Sequence, residues 1–310
     1  MNEFELIAQL TRSLPTNESV VVGAGDDCAV LECGDPQRQL LFKTDAVVEG
    51  IHFTSDIPPE KIGRKALARC LSDIAAMAGT PSAAVVTLAL PKKFSPDFVA
   101  QIYAGLNALA KQHGVAIVGG ETTTNPERTL ISISLTGFVP RGQAVLRSGA
   151  KVGDAIFVTG ELGGSRAGRH LDFEPRLPEG RWLAEKFSIH AMMDVSDGLA
   201  GDLPHILRAS GVGAELLKSA VPISRTAKEN SKRGDAAKPA FVAALTDGED
   251  FELLFTVASK VAVPVLDAWK KQFPSVKLSC IGKIVAGEGI RLREKTGIRP
   301  LTAHGYVHFS

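Results

Sequence analysis

Apolar positions recur along this chain with two distinct periods, and the change from one to the other marks out its elements. Gln39 to Val48 is strand-like, and so is Ala83 to Leu90, rich in valine and leucine and closed by Pro91. Between them Ile62, Ala66, Leu67, Cys70, Leu71 and Ile74 return at helical spacing. Pro58-Pro59 suits the first turn of that helix, and Gly79 lies near its end. A second helix is bracketed by Ser95-Pro96-Asp97 and His113-Gly114, with Phe98, Ile102, Leu106 and Leu109 facing inward. A strand from Val115 to Val118 follows it. Leu130 to Leu135 alternates as a strand with one buried and one polar face. The run Gly137-Phe138-Val139-Pro140-Arg141-Gly142 is expected to break that strand and to separate a first domain, residues 1–142, from a second, residues 143–310. The second half opens on a strand from Ala155 to Thr159, runs through glycines from Gly160 to Gly168, and adds strands near Ala191 to Val195 and Phe251 to Val257. Strands and helices alternate in both halves, so the expected class is α/β in the mixed α+β sense.

Composition narrows the function. Hydrophobic residues fill 45% of the 310 positions, enough for a substantial core, and the length favours two domains. Lys and Arg number 35 against 34 Asp and Glu, so no global field draws in nucleic acid or an anionic membrane, and neither is an expected partner. Any phosphate must be bound locally. No apolar run is long enough to span a bilayer, and Met1 to Glu5 lacks the basic start and apolar run of an export signal. Cys28, Cys33, Cys70 and Cys280 form no CxxC pair and have no histidine cluster at zinc spacing, which suits reduced thiols and a cytoplasmic setting.

The acidic residues stand in unusual places, beside glycines or next to apolar segments rather than on solvated faces. Gly23-Ala24-Gly25-Asp26-Asp27 puts adjacent carboxylates between a turn and an apolar run, where turn capping and metal binding both fit. Asp45 ends an apolar strand; such an Asp is a helix cap or a ligand group. Asp73 lies at the edge of a stripe that should be buried and needs a partner, either a cation or Arg69 one turn earlier. Val118-Gly119-Gly120-Glu121-Thr122-Thr123 reads as a strand running into an amide cradle for phosphate with a carboxylate attached. Met193-Asp194-Val195-Ser196-Asp197-Gly198 holds two carboxylates where a strand gives way to a helix, and a cap explains only one of them. Asp247-Gly248-Glu249-Asp250 sets acids at the mouth of another strand, as an acidic turn also would. Gly160-Glu161-Leu162-Gly163-Gly164 is a packed glycine turn or a phosphate loop. Together these acids are what a Mg²⁺-ATP site would use, since Mg²⁺ takes oxygen ligands and bridges carboxylates to phosphates. No GxxxxGK[ST] loop and no protein-kinase motif set is present.

In their order, GAGDDCAV, KTDAVVEGIHF, ALARCLSDIAAMAG, GGETT, RSGAKVGD, VTGELGGSRAG, MDVSDGL and DGEDFELLF resemble the thiamine-monophosphate kinases. That family belongs to a wider group with aminoimidazole-ribonucleotide (AIR) synthetase and selenophosphate synthetase. The resemblance runs from about Phe4 to Tyr306. It implies an AIR-synthetase-like fold: an N-terminal α/β domain whose sheet pairs across a homodimer, a C-terminal α+β domain, and ATP between them. The implied reaction is transfer of the ATP γ-phosphoryl group to the phosphate of thiamine monophosphate, with several Mg²⁺ ions, no covalent nucleophile, and catalysis by positioning and electrostatics. The family's metal ligands fall on Asp27, Thr44, Asp45, Asp73, Glu121, Asp194 and Asp197, with position 43 beside them. Its ATP contacts fall on Tyr103, Gly120, Glu121, Arg147 and Ser196, and its substrate contacts on His52, Glu249 and Tyr306. Lys43 stands where the family usually has Ser, Glu121 where it has Asp, and Asp247 where it has Gly. These departures bear on how many metal ions bind. They also keep open a non-catalytic paralogue that binds nucleotide or thiamine phosphates. Another ATP-dependent enzyme of the group is the third reading, against which stands the lack of a cysteine in a glycine-rich N-terminus.

Overall fold

The computed structural model describes residues 3–234, 237–302 and 305–306. The first half contains α1 (Glu3–Thr11), β1 (Val20–Val22), β2 (Ala29–Glu32), β3 (Arg38–Val48), α2 (Pro59–Ala76), β4 (Thr80–Leu90), α3 (Pro96–His113), β5 (Ala116–Thr124) and β6 (Leu130–Pro140). Its six strands form one sheet in the order β1-β2-β3-β6-β4-β5, antiparallel except for the parallel β4–β5 pair. The second half contains β7 (Ala155–Thr159), α4 (Arg169–Asp172), α5 (Leu177–Lys186), β8 (Ile189–Asp194), α6 (Leu199–Ser210), β9 (Gly213–Leu217), α7 (Arg225–Asn230), α8 (Ala240–Thr246), β10 (Leu253–Val257), α9 (Ala262–Gln272), β11 (Leu278–Val285), β12 (Ile290–Glu294) and β13 (Gly297–Pro300). These strands form a second sheet in the order β13-β12-β9-β11-β7-β10-β8. The mixed α+β class expected from the sequence is the class found.

Helix α2 organises the molecule. Pro59 occupies its first turn, where a missing N–H leaves no bond unmade, and Ile62, Leu67, Leu71 and Ile74 are fully buried. Each such side chain contributes about 1.5–3 kcal/mol of hydrophobic stabilisation. The helix packs on α3, β3 and β6 of its own half and on α4, α5 and β8 of the other, so one apolar core runs through both. Gly63 and Gly105 sit where α2 and α3 cross; a Cβ at either would strike the facing backbone. The N-terminus of α3 is capped by Ser95, whose Oγ accepts the Phe98 N–H, and its C-terminus by Gly114 at φ 68°. Strands β7 and β10 are buried on both faces, alternate residues facing the common core and a second core closed by α6 and α8. The six-stranded sheet is covered on one face only. On the other, Phe42 and Val85 remain 45% and 40% exposed.

Two segments depart from the expectation. Strand β6 does not break at Gly137 but continues to Pro140, because Gly137 lies in the strand interior pressed against Ile74 of α2 and the Thr80 carbonyl. Strand β5 likewise continues through Gly119 and Gly120, with Val118 as an extra residue that shifts its register against β4. Those glycines are a bulged edge strand rather than a loop of free amides.

Candidate active site

Three buried carboxylates from distant parts of the chain meet between the halves. Asp27 precedes β2, Asp73 lies on α2 and Asp194 ends β8, and each offers an oxygen within 4.8 Å of the others. Each also has one partner from the protein. Arg147 Nη2 lies 2.5 Å from Asp27 Oδ1, Lys43 Nζ lies 3.1 Å from Asp73 Oδ2, and Ser72 Oγ donates to Asp194 Oδ2 at 2.5 Å. Asp27 Oδ2 has no hydrogen-bond partner among the described residues. Burial raises Asp73 well above the carboxylate range, Lys43 opposing and Asp194 adding to it, and raises Asp194 to about 7, with Asp27 reinforcing. The same field holds the Lys43 ammonium charged against its own burial.

Asp73 and Asp194 line a cleft of about 430 Å³, together with Asp26, Lys43, Asp45, Arg69, Arg147, Ser196 and Asp197, and Asp27 is buried behind them. Alternation along β3 points Lys43 and Asp45 toward α2, where Asp45 pairs with Arg69 rather than capping a helix. So Arg69, one of the two partners open to Asp73 in the sequence, belongs to Asp45. Of the double aspartate, Asp26 performs the turn role, accepting the backbone N–H groups of Asp27 and Arg147, and Asp27 is left for the cluster. Burial, with Asp27 adding, raises Asp26 to about 6. Asp202 on α6 was not singled out in the sequence; it is buried and accepts the Asp197 N–H at 3.0 Å.

A smaller cavity of about 30 Å³ adjoins the cleft and is lined by His52, Arg166, Glu249 and Tyr306 among others. Beneath it lies Lys65, its side chain wholly buried. Lys65 Nζ bonds the His52 carbonyl at 2.6 Å and Glu249 Oε1 at 2.7 Å, and lies 2.7 Å from His170 Nδ1. Burial lowers this lysine to about 8 despite Glu249. Burial would raise Glu249, but bonds from His170 and Lys65 outweigh it and hold the carboxyl at about 2. Glu249 adopts a left-handed backbone at φ 56°, which turns its carboxylate inward. Burial, with Arg69 and Lys65 nearby, lowers His52 to about 4, so the ring is neutral, and its Nδ1 accepts the Val48 N–H. The Arg166 guanidinium stacks 5.1 Å from the centre of the Tyr306 ring. Lys65 and His170 were missed in the sequence. Lys65 falls three residues after Ile62, on the buried stripe, and that placement was the available signal.

The glycines after β7 are a packed turn. The N–H groups of Gly163 and Gly164 donate to Asp250 and Asp247, which leaves them occupied. Besides the buried Asp27, four of the expected residues line neither cavity. Thr44 lies exposed on the open sheet face beside Ser132 and Ser134, Gly120 and Glu121 lie exposed on β5, and Tyr103 is half-buried on α3. At Gly120 a side chain would collide with the Val86 carbonyl.

The model described as AIR synthase related protein, N-terminal domain, matches residues 25–139, and its C-terminal counterpart matches residues 151–295. The chain is 39% identical to a thiamine-monophosphate kinase of Rhodopirellula baltica, over 96% of this chain and 93% of that protein. It is 34% identical to one of Bacillus subtilis over the full length of both. The solved structure of AaThiL complexed with AMPPCP and TMP matches with a TM-score of 0.82 at 31% identity, covering 99% of this chain and 97% of that one.

Proposed function

Because this chain belongs to the thiamine-monophosphate kinase family, we propose that it transfers the γ-phosphoryl group of ATP to the phosphate of thiamine monophosphate. One observation carries the reading. The acidic cleft and the small cavity share a wall formed by Arg69, Ser196, Asp197 and Phe251, so a group bound over the carboxylates adjoins one bound beside Glu249. The pairing of AMPPCP with TMP in the AaThiL structure supports it. A non-bridging oxygen of the acceptor phosphate bonds to the γ-phosphorus while the bond from that phosphorus to ADP breaks, and the electron pair stays on ADP. A phosphate monoester with a second pKa of about 6 is already ionised at neutral pH, so no side chain has to remove a proton. The products are thiamine diphosphate and ADP.

Asp27, Asp73 and Asp194 would hold Mg²⁺, with Asp45, Asp197, Thr44 and Glu121 in the wider set and Lys43 as a fixed positive charge among them. The donor set suits a hard cation: three clustered carboxylates, one with an oxygen lacking a protein partner. Bound there, Mg²⁺ would neutralise phosphate charge. Arg147 and Ser196 line the nucleotide side, and His52, Glu249 and Tyr306 the substrate side. The ionised Glu249 offers a counter-charge to a cationic heterocycle, and Tyr306 a ring to stack on it. The small cavity has water-sized room, so substrate entry displaces Arg166 and Tyr306 from their stack. A homodimer formed through the open sheet face belongs to this reading and would give Thr44, Gly120 and Glu121 a second chain to act on. So do the division at residue 142 and the cytoplasm as the compartment, which the four free cysteines suit.

The test is thiamine diphosphate formation from thiamine monophosphate and Mg-ATP, with unphosphorylated thiamine and a metal-free sample as controls. Turnover that needs both the monophosphate and the metal is expected. Nucleotide binding without product would favour the non-catalytic paralogue instead.

A further inference from the structure

Phosphoryl transfer between two anions needs positive charge where the donor and acceptor meet, and the residues common to the two cavities identify that place. Of the four, Arg69 is the only cation. It sits on α2, the helix buried between the halves, and its side chain is 15% exposed. β3 fixes it from one side: Nη2 donates to Asp45 Oδ1 at 3.2 Å and Nη1 to the Ala46 carbonyl at 3.4 Å. Its Nε lies 3.0 Å from Asp45 Oδ2, but the N–H is not aligned on that oxygen and has no hydrogen-bond acceptor among the described residues. A guanidinium has five N–H donors in one plane, so two are placed by β3 and others remain for the oxygens of a phosphoryl group. The other cations of the cleft floor are committed to the carboxylate cluster, Lys43 to Asp73 and Arg147 to Asp27.

We infer that Arg69 is a catalytic residue of the transfer, its guanidinium lying against the phosphoryl group in transit between ATP and the acceptor phosphate. This rests on the kinase reading above. Arg69 forms no bond to phosphorus and moves no proton. It supplies charge that is already oriented before the substrates arrive and counts most when the transferred group lies between both partners.

The test compares wild type with Arg69→Met and Arg69→Lys in steady-state assays with both substrates. Inhibition by ADP with fluoroaluminate in the presence of thiamine monophosphate is measured in parallel as a mimic of the planar phosphoryl group. Arg69→Met is expected to lower kcat on the order of 10²- to 10³-fold. KM for ATP and for thiamine monophosphate should each stay within about threefold, and fluoroaluminate inhibition should be lost. Arg69→Lys, which keeps the charge without the fork, should recover about tenfold of the rate. If Arg69→Met does not fold, Arg69→Lys alone must show a kcat loss of about 10- to 10²-fold without a KM change. A kcat within threefold of wild type, or a raised KM with kcat unchanged, would overturn the inference. A wild type that makes no thiamine diphosphate would overturn the kinase reading first, and this one with it.

Discussion

Two buried groups of charge flank the shared wall, and they are neutralised differently. On one side Glu249 meets Lys65 and His170, and Glu252 accepts two bonds from Arg176 and one from Thr159. On the other, three carboxylates within 4.8 Å share two cations, Lys43 and Arg147. The first arrangement holds Glu249 far below its ordinary range, while the second pushes Asp73 and Asp194 above theirs. Burial acts alike on both, so the difference lies in the partners. A carboxylate with its full complement of donors holds the chain together; a carboxylate short of them has binding capacity left for a cation.

The largest test of that contrast is Asp73→Asn. It should reduce turnover on the order of 10³-fold while the metal-free protein melts no lower than wild type, because mutual repulsion is relieved. Near-normal turnover would break the comparison on the acidic side. Arg176→Met should do the opposite, leaving the buried Glu252 with only the Thr159 hydroxyl and the Arg169 guanidinium 3.8 Å away, at a loss of about 2–3 kcal/mol in denaturant unfolding. A loss below about 1 kcal/mol would mean that the paired side does not hold the fold. Lys43→Ser removes a charge 3.1 Å from Asp73. It should tighten Mn²⁺ binding about tenfold, followed by the paramagnetic resonance of free Mn²⁺, and unchanged affinity would show that the lysine is no substitute for a metal ion. The smallest effect concerns pH. Glu249 falls from 4.5 to about 2 on folding, so its contribution is present above pH 4.5 and is lost as pH drops toward 2, where the unfolded chain takes up the proton first. Glu249→Gln should therefore flatten the fall in melting temperature between about pH 5 and pH 3, and an unchanged slope would remove Glu249 as its source.

Much of this architecture can be read in the sequence where the signal is local. Ser95 and Gly114 bracket α3 as caps, and the stripe from Ile62 to Ile74 gives α2 its buried face. The acids beside glycines or at element ends include all three members of the carboxylate cluster. Local signals fail where a glycine or a charge answers to something far away. Gly137 and Gly120 look like breaks, yet each is small because another element lies against it. Lys65 looks like a lysine with its stem laid along a helix, and only the return of residues 170 and 249 shows that it is enclosed. Arg69 and Asp73 have compatible helical spacing, but the alternation of β3 supplies each with a better partner.

The bond from Lys65 to Glu249 joins residues 184 positions apart, and that from Ser72 to Asp194 spans 122. On the ribosome α2 therefore emerges long before the groups that complete it. An N-terminal half folded at that stage would hold the Lys65 ammonium and the Ser72 hydroxyl on its future interior without these partners, a patch open to water. The enzyme becomes competent only when the last third of the chain closes over that helix. A nascent chain arrested before residue 249 would contribute no premature turnover, its Lys65 charge still without Glu249.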